Sequence, residues 1–341
     1  MVGMSLKKNS RKRSLLFGRV FLVLALFIMV GTLFSGCGEK KVYRVGILSG
    51  VKNMATVGKA FKEKMTELGY IEGENITYDV QMPVNYMEDI DRISKQFVED
   101  KVDLIFCYPT EAALGAKEAT AGTNIPVVFA FTNIENSDLI NSIREPGGNI
   151  TGVRYPGPDL AIKRFNIMQQ LVPEAKIYWL PYYLDLPVCY PQLEVLRPVA
   201  KEAGITLIES PLRNAAEVEA FLKQRAEKPD FDALFCIAEI LTIQPDVFLV
   251  MNKYTSKFKI PMGGALMEVD GYSSVYGVTI KNSDAGINGA VLADKILKGT
   301  QAGTIPVISS ESFFELNYKE AKKLGLNVSE GLLVQADRVI R

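Results

Sequence analysis

The chain has 341 residues, of which 39 are basic, 39 acidic and none histidine. Without histidine, hydrolysis by the usual Ser-His-Asp triad, His-ligated zinc and imidazole proton shuttling are all ruled out. Residues 1–36 hold six of the basic side chains and no acid, so 33 basic face 39 acidic over residues 37–341, a net charge of about −6 that argues against nucleic acid as a partner.

The six are Lys7, Lys8, Arg11, Lys12, Arg13 and Arg19; an unbroken apolar run from Val20 to Val30 follows, then small residues ending in Phe34-Ser35-Gly36-Cys37. A basic start, a short apolar stretch and a small-residue junction make a secretory signal. With Cys37 at its end it resembles a bacterial lipoprotein signal, which implies lipid attachment to Cys37 and a mature chain that starts there. The alternative is an uncleaved anchor, although the apolar run is short of the ~20 residues that a spanning helix needs. Either reading places the folded body outside the cytoplasm. The remaining Cys107, Cys189 and Cys236 are odd in number and show no CxxC spacing, so neither a disulfide framework nor a zinc site is expected. Cys107 and Cys236 read as buried strand thiols.

After a charged tether, Val42–Leu48 reads as a buried strand and Thr56–Leu68 as a helix with Val57, Phe61, Met65 and Leu68 on one face, stopped by Gly69. Strand Ile76–Val80, a helix with Ile90, Ile93 and Phe97 inward, strand Val102–Cys107, helix Glu111–Ala121 and strand Pro126–Ala130 follow. Alternation of this kind predicts a parallel sheet covered on both faces. Pro146-Gly147-Gly148-Asn149 interrupts it, and Ile150–Arg154 runs extended into Pro156-Gly157-Pro158 as a crossing. The alternation then resumes: helix Asp159–Leu171, strand Lys176–Leu180, helix Tyr190–Ala203, strand Ile205–Ile208, helix Glu217–Arg225, strand Asp232–Ile237, helix Asp246–Tyr254 and a strand starting at Ile260-Pro261. Ser274–Ile280 is extended, Ala285–Leu297 is a helix returning to the first half, and Phe313–Leu316 precedes two short helices.

The second half echoes the first. Asp103-Leu104-Ile105-Phe106-Cys107 recurs as Asp232-Ala233-Leu234-Phe235-Cys236, and Asn124-Ile125-Pro126 as Lys259-Ile260-Pro261. The expected fold class is therefore α/β: two Rossmann-like lobes with parallel sheets, joined by a multi-stranded hinge. The expected boundaries are a signal over 1–36, a tether over 37–41, an N-terminal lobe from 42–152 with 278–306, and a C-terminal lobe from 153–277 with 307–341.

Four stretches carry a family resemblance: Glu67-Leu68-Gly69-Tyr70-Ile71-Glu72-Gly73-Glu74-Asn75-Ile76, Arg144 to Val153, Leu171 to Lys176, and Ala321 to Val339. Through them the chain resembles the bacterial ABC-transporter solute-binding lipoproteins whose characterised members take up aromatic amino acids such as tryptophan. The resemblance implies a type I periplasmic-binding-protein-like fold, a small-molecule ligand, an ABC permease as partner, and a monomer. Ligand contacts are then expected beyond the carboxyl ends of the strands, where open parallel sheets bind. Thr110 and Thr132-Asn133 fall where the family has polar contacts, and they suit an anionic ligand end or, as the plainer alternative, helix and loop capping. In the second half Pro181-Tyr182-Tyr183-Leu184-Asp185 and Ala238-Glu239-Ile240-Leu241-Thr242 replace the family's polar loops. Tyr182 and Tyr183 would stack on a flat ligand or form a core edge; Glu239 would meet an amine. Met262 and Met267 would fill gaps or soften the pocket wall. The candidate binding set is Ser49, Thr110, Thr132, Asn133, Tyr182, Tyr183, Asp185 and Glu239, with Cys37 as the lipidation site and no metal or cofactor.

Three functions remain open on the sequence. A binding receptor leads, with its ligand an aromatic amino acid or a similar planar or apolar molecule. A sensory ectodomain would require the uncleaved anchor. A Rossmann-like enzyme would need a G-x-G-x-x-G or Walker loop, and the chain has neither.

Overall fold

Short continuous apolar runs and amphipathic runs of period 3.6 alternate along the chain; the first form buried strands and the second helices. The computed structural model describes residues 41–49, 54–84 and 86–341, and residues 43–341 cluster as a single unit. Cys37 and the signal segment lie outside the described residues.

The first half gives β1 (Tyr43–Ser49), α1 (Ala55–Glu67), β2 (Ile76–Gln81), α2 (Tyr86–Glu99), β3 (Leu104–Tyr108), α3 (Thr110–Ala119), β4 (Val127–Thr132) and β5 (Ile150–Arg154). The second gives α4 (Gly157–Leu171), β6 (Ile177–Tyr183), α5 (Cys189–Glu202), β7 (Thr206–Leu212), α6 (Ala215–Lys223), β8 (Ala233–Cys236), α7 (Pro245–Phe258) and β9 (Met262–Gly264). A small hairpin follows, β10 (Glu268–Val269) and β11 (Tyr272–Ser273), then β12 (Tyr276–Ile280) and α8 (Asn282–Leu297). The chain closes with β13 (Ile308–Ser309), β14 (Ser312–Asn317), α9 (Tyr318–Lys323), α10 (Glu330–Gln335) and β15 (Arg338–Ile340).

Two sheets result. The first has the order β13-β5-β4-β3-β1-β2 and is parallel throughout. The second has the order β15-β14-β12-β9-β8-β6-β7 and is parallel except where β14 meets β12. That antiparallel pair follows from the connections: β12 carries the chain out of the second sheet and β14 brings it back. The chain thus passes between the sheets three times, after β5, after β12 and after β13. Several strands side by side at such a junction permit bending and little else. The Ile150–Arg154 segment, expected only as a crossing, is also a full strand of the first sheet.

Both faces of the first sheet are dry: Val45, Ile47 and Phe106 line one, Ile105, Cys107 and Phe129 the other. Cys107, Cys189 and Cys236 are all buried, and burial pushes their thiols above the usual value. The returning helix α8 presents small residues to α1 so that the backbones can touch. A Cβ on Gly286 would stand 2.2 Å from the Val57 carbonyl oxygen, which only a glycine tolerates.

Candidate ligand-binding site

In a βαβ unit each strand ends where the next helix begins, so the carboxyl ends of the strands collect helix N-termini. Six helices here, α1, α3, α4, α5, α7 and α8, start without a side-chain cap among the described residues. Five of them give a residue of the cap or first turn to one cavity of about 750 Å³: Thr56, Thr110, Val188, Pro245 and Asn282. Tyr155, which also lines it, immediately precedes the sixth start. By contrast α6, α9 and α10 are capped by Asn214, Asn317 and Ser329, and none of them lines the cavity. Local caps are thus made away from the cavity and left out around it, where the helix starts present N–H groups and positive dipole ends to a ligand.

The cavity lies in the size range of small-molecule sites, roughly 300–1,000 Å³, and its wall is mainly aliphatic and aromatic. Phe131, Tyr155 and Phe313 supply three aromatic rings. Phe131 owes its position to an irregularity at the end of β4, where the register with β5 shifts and its φ is +51°. A non-glycine residue held there costs of order 1–3 kcal/mol and signals that the geometry is needed. The Phe131 and Tyr155 rings lie 4.9 Å apart at 31°. Phe313 and Phe314 alternate across β14, so that Phe314 is fully buried while Phe313 reaches the cavity. Lys281 Nζ sits 4.5 Å from the Phe313 ring centroid, a cation–π contact. Carboxylates of Glu111, Glu268 and Asp270 also line the wall, the last two from the β10–β11 hairpin.

The structure brings together three of the eight binding candidates: Thr110, Asn133 and Glu239. Thr110 Oγ1 accepts from the Asn133 backbone N–H at 3.0 Å, tying the start of α3 to the loop after β4. Glu239 needs its expected role corrected. Its carboxylate accepts from the backbone N–H groups of Tyr183 (3.1 Å), Leu241 (2.7 Å) and Thr242 (2.7 Å) and from Thr242 Oγ1 (2.7 Å). Both oxygens are thereby occupied, and the side chain clamps the 238–242 loop in shape instead of waiting for an amine. Burial raises its pKa, and these four donors pull the other way.

The other five do not line the cavity. Ser49 is buried at the end of β1, and buried Thr132 gives its hydroxyl proton to the Ala130 carbonyl at 2.9 Å. Tyr182 and Tyr183 belong to β6, which runs three residues past its expected end. Tyr182 is 7% exposed in the core, and Tyr183 is half-buried against the second-sheet cluster around Trp179. Asp185 is exposed and paired with Arg213 at 3.2 Å. Met262 and Met267 are buried fillers outside the wall. Sequence reasoning passed over Phe131, Tyr155 and Phe313; the one available signal was the Phe313-Phe314 doublet, since a strand must aim the two rings to opposite faces.

The family model for ABC transporter substrate binding proteins matches residues 45–340. A tyrosine-binding protein of Clostridioides difficile is 27% identical over 273 residues, covering 79% of this chain and 76% of the relative. Among solved structures, the ABC domain in complex with L-Trp from Streptococcus pneumoniae superposes with TM-score 0.76 at 23% identity, over 88% of this chain and 100% of that one. A ligand-free, open substrate binding protein with adhesive properties from Clostridium difficile gives 0.68 at 21%, over 88% and 99%. At these identities the two structures establish the type I periplasmic-binding-protein-like fold.

Proposed function

Because the chain belongs to the family of ABC transporter substrate binding proteins, we propose that it is the extracytoplasmic receptor of an ABC importer, held to the membrane by a lipid on Cys37, and that its ligand is an aromatic amino acid. The observation that carries the ligand class is the cavity wall: three aromatic rings and aliphatic side chains beside uncapped helix starts and the carboxylates of the β10–β11 hairpin. A flat apolar side chain fits the first, an α-carboxylate the helix starts near Thr110 and Asn133, and an ammonium the acids of the hairpin. The ligands named for the two relatives, tyrosine and L-Trp, are of this class. In this reading the lobes divide within two or three residues of the expected boundaries, at the ends of β5, β12 and β13, the three crossings form the hinge, and the receptor works as a monomer that hands its ligand to the permease unchanged.

A thermal-shift series over the natural amino acids tests the ligand. At 100 times Kd a ligand adds about 2.7 kcal/mol, which for a chain of this size raises the melting temperature by roughly 5 °C. L-Tyrosine, L-tryptophan or L-phenylalanine should give that rise, and a set in which only sugars or aliphatic amino acids do would refute the assignment.

The anchor is tested separately. Among the described residues no helix is long and apolar enough to cross a membrane. With the lipid on Cys37 as the anchor, Cys37→Ala should move the protein from the membrane to the soluble fraction or leave it as unprocessed precursor. Unchanged membrane retention with an acylated product would remove the lipid from Cys37.

A further inference from the structure

Arg164 on α4 is fully buried. Its Nε donates to the Val278 carbonyl at 2.8 Å, Nη1 to Gln192 Oε1 at 3.4 Å, and Nη2 to the Tyr155 hydroxyl oxygen. Each of these acceptors is a neutral oxygen. Among the described residues no carboxylate comes within ion-pair distance of the guanidinium, whereas the exposed arginines Arg197 and Arg338 each have one. A cation taken out of water without a counter-charge costs several kcal/mol, so its retention at the heart of the second lobe calls for an anion that arrives from elsewhere.

Its hydrogen bonds lead to the cavity. Tyr155 lines the wall and is only 2% exposed. Its oxygen accepts from Arg164, and its own proton meets no acceptor among the described residues. A phenol that receives a hydrogen bond from a cation is a stronger donor in turn. Gln192, also fully buried, accepts from the Ala238 N–H at 3.1 Å and donates to the carbonyls of Val188 (3.1 Å) and Ala238 (2.9 Å), both wall residues. Arg164 thus stands one layer behind the wall. Lys281, the cation that does line the cavity, is engaged over Phe313.

We propose that Arg164 is the buried counter-charge for the carboxylate of the bound ligand and acts on it through Tyr155, whose hydroxyl donates to that carboxylate. Tyr155 is then a contact residue that selects for an acid, and Arg164 a positioning residue behind it. The proposal rests on the amino-acid reading only in requiring a carboxylate at this corner, which also holds Asn133: a Cβ on Gly157 would meet Asn133 Oδ1 at 2.5 Å.

Calorimetric titration with L-tyrosine, 3-(4-hydroxyphenyl)propionate and tyramine tests it, because the second lacks only the amine and the third only the carboxylate. Tyr155→Phe deletes one oxygen and keeps the ring against Phe131. It should weaken both acids at least tenfold, about 1.4 kcal/mol, and leave tyramine within twofold of the wild type. Equal loss for all three, or none, would overturn the proposal. Arg164→Met should show the same selective loss, and in a Tyr155→Phe background it should add less than twofold. A further tenfold loss there would overturn transmission through Tyr155. If the wild type binds none of the three, the aromatic reading fails on its own, and acetate against chloride at equal ionic strength becomes the probe. Acetate that raises the melting temperature of the wild type but not of Tyr155→Phe upholds the acid site; absent or equal protection overturns it.

Discussion

Tyr182→Ala is expected to destabilise the ligand-free protein by about 3 kcal/mol, the low end of the cost of truncating a buried aromatic side chain, and to leave ligand affinity nearly unchanged. The ring is 7% exposed, belongs to the apolar cluster with Leu180 and Leu193, and does not line the cavity. Urea unfolding of the ligand-free protein gives the midpoint, and calorimetry at a temperature where the variant remains folded gives the affinity. Replacement of Phe313, on the wall, is the natural contrast. A Tyr182→Ala protein with unchanged midpoint and weakened binding would return the ring to the ligand.

Glu239→Ala should be the more damaging of the pair. It strips acceptors from three backbone N–H groups and one hydroxyl, and a buried donor left unpaired costs about 1–3 kcal/mol. With water and loop relaxation recovering part of this, a loss of at least 3 kcal/mol is expected. Binding of every ligand should weaken together, because Ala238 and Ile240 on the same loop form part of the wall. Glu239→Gln keeps one carbonyl acceptor and should recover about half of the lost stability. A direct ammonium partner would behave in the opposite way, with stability untouched and tyramine or amino acids losing affinity while the amine-free acid kept it. The two variants therefore separate a clamp from a contact.

These two residues also mark where the sequence stops being legible. Period and punctuation were enough for the two-sheet α/β fold, since strands buried on both faces and one-sided helices leave a strong pattern. Thr110 and Asn133 could be placed at the cleft because strand ends and helix starts are local features. Tyr182 could not, because the end of β6 is set by its partner β7, which pairs all the way to Leu212 and draws Tyr182 and Tyr183 into the ladder. Glu239 could be located but not assigned, since its partners come from its own loop and from Tyr183, 56 residues away. Phe131 falls just past the expected end of its strand at Ala130; it lies within β4, and the irregular register beside β5 turns it to the cavity. The Arg164 contacts join α4 to β12, α5 and the turn before α4, a convergence that no spacing in the chain announces.

The packing of α8 on α1 bears on the order in which the molecule can form. Gly286 meets Val57, and Gly289 lies so close to Phe106 that a Cβ there would stand 2.6 Å from its ring. The first sheet also takes its edge strand β13 from residues 308–309. A stretch from the start of the chain completes that lobe only once it reaches residue 309, after the whole run through the second sheet's β6–β12. A growing chain that has reached residue 281 has α1 on one face of its first sheet and still lacks the α8 part of the cover. Closure of that face waits for contacts distant in sequence, which is slow and leaves apolar surface open to association meanwhile. The crossings between the sheets thus tie completion of the first sheet to residues 282–309.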